Sequence, residues 1–135
     1  MTPSFNDATR ASDLVQFYSE QIVGKTILIT GPSPGSLVDS YTRQVAARKP
    51  SMIILASRSL SKIQDLINDI NNQFPSVKVK SLPLNLLSLS DVRKAAERLK
   101  SWSDVPDIDV LVNNAGIMAV PYAFRKGFLP LVACP

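Results

Sequence analysis

Short apolar runs alternate with amphipathic segments from residue 25 onward. Four runs are typical of β-strands, because they are apolar, rich in β-branched residues and bounded by turn residues: 25–30, 52–56, 77–82 and 108–112. In the third run, Lys78 and Lys80 alternate with apolar positions, so we expect that strand to be less buried than the first two.

Three amphipathic helices are predicted between these strands. The helix over 36–49 carries the stripe Leu37, Tyr41 and Val45. The next helix, capped by Ser59, has the clearest 3.6-residue period in the chain, formed by Leu60, Ile63, Leu66, Ile67, Ile70 and Phe74. The last begins at a capping box and carries an apolar face: Ser88 and Asp91 form the box, and Val92, Ala95, Ala96, Leu99 and Trp102 the face.

This order of elements predicts an α/β fold. Strands that alternate with amphipathic helices form a parallel sheet covered on both faces, and right-handed crossovers give the strand order 3-2-1-4. The expected architecture is the N-terminal half of a Rossmann-type doubly wound sheet. A short helix within 10–22, with Leu14, Phe17 and Tyr18 at helical spacing, precedes it.

The composition of the chain limits the catalytic and metal-binding chemistry that is possible. The chain has 135 residues, of which 45% are hydrophobic and 19% charged, as in a globular protein of one domain or a piece of one. It contains no histidine, which excludes Ser-His-Asp and Cys-His catalysis and histidine-ligated zinc or haem. Cys134 is the only cysteine, so we expect no internal disulfide and no cysteine-ligated metal site.

The net charge of +4 comes from basic residues that are scattered along the chain with acidic residues among them. This pattern favours an ordinary solvated surface over nucleic-acid binding. No apolar run reaches the 18 or so residues of a transmembrane helix, and the first residues lack the pattern of a signal peptide. We therefore expect a cytoplasmic protein without a membrane span.

The turn after the first strand has the chemistry of an anion site. In Gly31-Pro-Ser-Pro-Gly35, glycines allow a sharp turn and a close approach of the backbone to a phosphate, and the following helix N-terminus offers free N–H groups. The alternative is a tight loop at a strand–helix junction with no ligand.

The end of the second strand favours NADP over NAD. An acid at this place holds the ribose 2′-hydroxyl of NAD, but the chain has none between Asp39 and Asp65. Arg58 follows the strand instead, and Lys62 lies one helical turn further on; an Arg fork and a Lys can hold a 2′-phosphate. The alternative is an exposed Arg and Lys at a helix start.

Two motifs at strand ends resemble one family. Thr30-Gly-Pro-Ser-Pro-Gly35 resembles the TGxxxGxG turn of the short-chain dehydrogenase/reductases, and Asn113-Asn-Ala-Gly116 resembles their NNAG motif. The similarity covers residues 20 to about 122 and is nearest to fungal members of the retinol-dehydrogenase-like group. It implies an NADP(H)-dependent oxidoreductase, of a kind often found in fungal secondary-metabolite pathways.

The resemblance also implies cofactor-binding residues. In the first turn these are Gly31, with Ser33, Gly35 and Leu37 beside the pyrophosphate and the nicotinamide. Leu37 and Val38 depart from the family, which has glycine at one of the two positions, and the larger side chain is expected to crowd the helix or the cofactor.

The other implied residues follow the remaining strands. They are Arg58 and Lys62 at the 2′-phosphate, Asn85 and Leu86 at the adenine, and Asn113, Ala115 and Gly116, which line the cofactor and brace the sheet. Asn85 stands where the family usually has aspartate, so it offers a hydrogen bond without a charge.

No catalytic residue is assigned. The family's catalytic Ser, Asn and Tyr-x-x-x-Lys lie beyond the NNAG motif, in a second half that this sequence lacks. Tyr122 and Lys126 have the Tyr-x-x-x-Lys spacing, but they precede any fifth strand, and we regard the match as chance. We therefore expect three segments: an extension over 1–23, an NADP-binding half over 24–118, and a divergent tail over 119–135 that arose from a frameshift, an early stop or a misread splice junction.

A sheet that ends at the fourth strand would leave the edge over 108–112 bare and apolar, which favours pairing with another chain. We therefore expect a poorly soluble or partner-dependent protein, inactive on its own. The alternatives to a truncated dehydrogenase/reductase are a non-catalytic nucleotide-binding or interaction module that pairs with a full-length relative, and a pseudogene product. The sequence does not indicate a substrate.

Overall fold

Four parallel strands form the central sheet in the structure, a computed structural model that describes residues 3–116, 123–124 and 130–131. They are β1 (Thr26–Thr30), β2 (Met52–Ser57), β3 (Lys78–Pro83) and β4 (Val110–Val112). Their order, β3-β2-β1-β4, confirms the predicted 3-2-1-4 arrangement. In register, Ile27 of β1 lies between Ile53 of β2 and Val110 of β4.

Helices cover both faces of the sheet. They are α1 (Ala11–Phe17), α2 (Ser19–Ile22), α3 (Leu37–Ala46), α4 (Gln64–Gln73), which follows a 3₁₀ turn over Ser61–Ile63, and α5 (Leu89–Lys100). Two short strands, β5 (Ala123–Phe124) and β6 (Pro130–Leu131), pair with each other in antiparallel fashion. Among the described residues, none of the helices combines the length and apolarity that crossing a bilayer would require.

The core is split in two by the sheet. On one face, alternate β1 and β2 residues pack against α3 and α4, and the predicted α4 stripe is confirmed: Ile63, Leu66, Ile67 and Ile70 are buried there, with Leu60 and Phe74 packed beside them. On the other face, Leu28 and Ile54 pack against Ala95 of α5. Trp102, the only tryptophan of the chain, borders this second core with the Lys80 ammonium 4.5 Å from its ring centre.

The buried face of α3 differs from the prediction. Leu37 is 91% exposed, and the core face is formed by Val38, Thr42, Val45 and Ala46. Thr42 is tolerated there because its hydroxyl donates to the Val38 carbonyl at 2.6 Å, which satisfies its polar atom inside the core. The helix also ends earlier than expected, since Lys49 adopts a left-handed conformation with φ 56°.

Two further predictions about the helices were wrong. The N-terminal helix is interrupted at Tyr18, and its buried residue is Val15, whereas Phe17 and Tyr18 are exposed. Ser59 caps no helix: its hydroxyl lies 3.2 Å from that of Ser61, and the segment opens as a 3₁₀ turn. The cap at Ser88 is confirmed, because its hydroxyl accepts the Asp91 N–H at 3.3 Å.

The edge strand β4 is apolar and accessible, as expected. Val110 is 39% and Leu111 is 54% exposed, and in the described part of the chain β4 pairs on one side only, with β1. Asp109 anchors its start by accepting the Thr26 N–H at 2.8 Å and the Lys25 ammonium at 3.1 Å. These two donors, the Thr26 N–H foremost, hold the pKa of Asp109 below its ordinary value.

Candidate functional site

A groove of ≈ 640 Å³ runs along the carboxyl ends of the strands. It is lined by the turn after β1, the start of α3, the end of β2, the residues that follow β3, and the segment after β4. The strand order reverses between β1 and β4, and ligands of doubly wound sheets bind at such a reversal. The volume is in the range of small-molecule and cofactor sites.

Gly31 lets the two sequence motifs meet. Its φ of 67° is left-handed, and a Cβ built on it would lie 2.7 Å from the Cα of Ala115 and 2.8 Å from its Cβ. Because a side chain at Gly31 would collide with the backbone after β4, the glycine is required for the contact between the first turn and the Asn113–Gly116 segment.

Asn114 and Thr30 fix this junction by hydrogen bonds. Asn114 Nδ2 donates to the carbonyl oxygens of Thr30 at 3.2 Å and Gly31 at 3.1 Å, and the Ala115 N–H donates to Thr30 Oγ1 at 3.1 Å. Sequence reasoning gave the bracing role to Asn113, Ala115 and Gly116 and missed both residues. Their place inside the two motifs was the available signal, but pairing across 84 residues is visible only in the fold.

Asp39, which sequence reasoning also missed, holds the first turn. Its carboxylate accepts the Gly35 N–H at 2.7 Å and the Arg43 Nε at 2.7 Å, and Arg43 Nη2 reaches Asp69 of α4 at 2.9 Å. Burial would raise the pKa of Asp39, but the Gly35 N–H and the Arg43 guanidinium outweigh it and keep that pKa below its ordinary value. Gly35 therefore shapes the turn through its φ of 72° and this bond, and no atom of the described residues would meet a Cβ there within 4 Å.

The start of α3 offers donors to the groove. Leu37 and Val38 begin the helix, so their N–H groups have no intrahelical partner. The Ser36 hydroxyl accepts the Asp39 N–H at 3.3 Å and donates to the Ser33 carbonyl at 2.6 Å, which keeps the turn against the helix. At the missing glycine, the Val38 side chain packs into the core and the Leu37 side chain is exposed along the groove, so crowding of a cofactor there stays a prediction.

The far end of the groove is formed after β2 and β3. Arg58 is exposed at this end, in a turn where the Ser57 hydroxyl accepts the Ser59 N–H at 3.3 Å. Opposite lies Asn85, whose Oδ1 accepts the Leu87 N–H at 3.2 Å and whose Nδ2 donates to Asp91 Oδ2 at 3.4 Å.

The groove gathers most of the predicted residues. Those that line it are Gly31, Ser33, Leu37, Arg58, Asn85, Leu86, Ala115 and Gly116. Gly35, Lys62 and Asn113 are exposed and are not among the lining residues. The Tyr122 and Lys126 pair lies outside the described residues. Within those residues, no cluster of three His, Cys, Asp or Glu side chains could hold a metal ion.

Comparison with known proteins gives the family. The family model for short chain dehydrogenase matches residues 25–126, and the chain therefore belongs to the short-chain dehydrogenase family. It is 30% identical over 117 residues to the oxidoreductase fscI of Fusarium equiseti, across 87% of this chain and 45% of that protein. It is 33% identical over 101 residues to retinol dehydrogenase 13 of Homo sapiens, across 75% of this chain and 29% of that protein.

A solved structure supports the same fold. L-sorbose reductase of Gluconobacter frateurii, in complex with NADPH and L-sorbose, matches with a TM-score of 0.61 at 26% sequence identity, over 73% of this chain and 35% of that chain. The predicted Rossmann-type half-sheet is thus confirmed. The chain spans less than half the length of each of these three proteins.

Proposed function

We propose that this chain binds NADP(H) along the groove and forms the cofactor-binding half of an oxidoreductase of its family. The observation that carries the proposal is Arg58, which lies in the groove at the end of β2, where the family's NAD-binding members need an acid. A guanidinium can hold a 2′-phosphate through two parallel hydrogen bonds. Lys62, exposed one helical turn further on, adds positive charge on the same side.

The remaining residues suit the rest of the cofactor. The pyrophosphate would bind the turn from Gly31 to Gly35, with Ser33 beside it, and the N-terminus of α3 at Leu37. Asn85 and Leu86 would bind the adenine, Ser33 and Leu37 would lie on the nicotinamide side as well, and Ala115 and Gly116, which line the groove, would line the cofactor. When bound, the reduced cofactor supplies a hydride to a carbonyl carbon, whose oxygen then takes up a proton.

We propose further that these 135 residues do not catalyse this transfer alone, because the proton-transfer residues implied by the resemblance have no counterpart among them. The divergent segment over 119–135, a cytoplasmic location and a role in a fungal secondary-metabolite pathway are parts of the same proposal. They rest on the sequence and on its resemblance to fungal family members.

Cofactor titration tests the proposal. We expect NADPH to bind about ten to a hundred times more tightly than NADH, the value of a charge-assisted phosphate contact. Arg58→Ala should remove most of that preference and leave NADH binding unchanged. Arg93→Ala, an exposed arginine of α5 that does not line the groove, is the matched control. Equal binding of the two cofactors would contradict the choice of NADP, and binding of neither would contradict the proposal as a whole.

A second candidate function is association through β4. Leu111 and Val110 expose apolar side chains on a strand that pairs on one side only in the described part of the chain, and such edges accept another strand. The partner would be a second copy or a full-length relative. Turnover of a carbonyl substrate by the isolated chain would contradict a purely non-catalytic role.

A further inference from the structure

A smaller cavity of ≈ 260 Å³ adjoins the adenine end of the groove, between the end of β3 and α5. Asn85 lines both cavities, and Asp91, in the first turn of α5, lines the smaller one. The two side chains are joined by the bond from Asn85 Nδ2 to Asp91 Oδ2. The carboxylate that the family usually carries at position 85 is thus present six residues later, in contact with the asparagine that replaced it.

The surroundings of Asn85 fix which way its amide points. Its Oδ1 accepts an N–H from Leu87, and its Nδ2 donates to the carboxylate of Asp91. The opposite orientation would set an oxygen against the carboxylate and an NH₂ against an N–H, so both contacts would become repulsive. A carboxylate at position 85 would need no such support, because its two oxygens are equivalent acceptors.

We infer that Asp91 is a positioning residue for purine recognition, an inference that rests on the proposed binding of NADP(H). It holds the Asn85 amide so that Oδ1 keeps its second lone pair for the 6-amino group of adenine. Hypoxanthine carries a carbonyl oxygen at that position, which the fixed Oδ1 repels. If the amide could rotate, Nδ2 would donate to that oxygen and the discrimination would be lost.

The charge of Asp91 is compensated around the same cavity. Lys94 Nζ lies 4.0 Å from Asp91 Oδ1, and Arg58 and Arg98 also line the cavity. Ser88 caps the backbone N–H of Asp91 and leaves the carboxylate oxygens to Asn85 and Lys94. Asp91 is the only acidic side chain among the residues that line this cavity.

Two variants separate the hydrogen bond from the charge. Asp91→Asn and Asp91→Leu both remove the negative charge from the start of α5, but only the asparagine keeps an acceptor oxygen for Asn85. Asp91→Ala is a smaller third variant that keeps the backbone cap, for the case that leucine prevents folding. Thermal unfolding of each variant tests whether its fold is intact.

The readout is the ratio of the dissociation constants of reduced nicotinamide hypoxanthine dinucleotide phosphate and NADPH on the full chain. We expect the unmodified chain and Asp91→Asn to prefer NADPH by about three- to tenfold, the value of one neutral hydrogen bond. Asp91→Leu and Asp91→Ala should bind the two nucleotides within about twofold.

Several outcomes would overturn the inference. An unmodified chain without preference would do so, as would Leu and Ala variants that keep it, or an Asn variant that loses it to the same extent. In each of these cases NADPH still binds, so the proposed function survives. Binding of neither nucleotide would overturn the proposed function and this inference together.

Discussion

Gly31 and Ala115 are in contact across the top of the sheet, so close that a Cβ on Gly31 would lie 2.7 Å from the Ala115 Cα. The turn after β1 and the segment after β4 are therefore positioned by each other. The groove wall on the side of β1 and β4 depends on this contact, since both residues line it.

Substitution of Gly31 tests the contact. Gly31→Ala adds a methyl group at a left-handed residue and against backbone atoms that cannot rotate away, so we expect a loss of about 2–4 kcal/mol in the free energy of unfolding. Gly24→Ala is the control, because Gly24 has a similar φ of 73° and no atom of the described residues within 4 Å of the added Cβ. Its cost should be about 1–2 kcal/mol, the left-handed strain alone. If the two variants lose the same free energy of unfolding in urea, the contact between Gly31 and Ala115 is contradicted.

The lowered pKa of Asp39 gives stability a defined dependence on pH. A carboxylate whose pKa falls on folding stabilises the protein above its unfolded pKa of about 3.9, and this contribution is lost as the pH falls through the folded value. Asp39→Asn should therefore lower the free energy of unfolding by about 1–2 kcal/mol at pH 7 and flatten its decline between about pH 5 and pH 2.

The control for this variant is Asp107→Asn, the substitution of an exposed loop residue. It should change the free energy of unfolding by less than about 0.5 kcal/mol. Guanidinium unfolding at several pH values measures both. An Asp39→Asn curve parallel to that of the unmodified chain would show that the carboxylate does not stabilise the turn.

Neighbouring asparagines after β4 should differ in their effect on stability. Asn114→Ala removes two hydrogen bonds to carbonyl oxygens, at a cost of about 1–2 kcal/mol. Asn114→Asp should cost more, because a carboxylate would face those two oxygens. Asn113→Ala, at an exposed residue, should cost less than about 0.5 kcal/mol. Thermal unfolding of the three variants checks this order, and a larger effect at Asn113 would reverse the assignment.

Association through β4 predicts a change in molecular mass. Leu111→Lys places a charge on the accessible edge and should shift the chain towards the monomer in light scattering. Val23→Lys is the matched control, since Val23 is 56% exposed and Leu111 is 54% exposed, but Val23 lies outside the sheet. If the two variants associate equally, or if the unmodified chain is already a monomer, β4 is not the associating edge.

The sheet could be predicted from the sequence because its strands are continuous apolar runs. The face of α3 could not: Leu37, Tyr41 and Val45 form one helical stripe, and Val38, Thr42 and Val45 form another, which shares Val45 and is rotated by about 70°. Hydrophobicity alone favours the first. The fold selects the second because Thr42 satisfies its hydroxyl within the helix and so enters the core.

For the candidate site, too, some features could be predicted from the sequence and others could not. Residues in local motifs, such as Gly31, Arg58 and Asn85, were predicted because turn chemistry and strand ends can be located along the chain. The contacts that support them were not predicted. The hydrogen bond from the Gly35 N–H to Asp39 depends on how α3 meets the turn before it. The bond from Asn114 to the Thr30 carbonyl depends on the pairing of two strands that are distant in sequence. Such contacts are set by tertiary structure, which local patterns do not encode.

Trp102 has a spectroscopic consequence. It is the only tryptophan, it packs against the α5 side of the sheet, and it is not among the residues that line the groove. Its ultraviolet emission therefore reports the packing of that second core. Unfolding of the α5 side of the sheet can thus be followed in the unmodified chain without an added label.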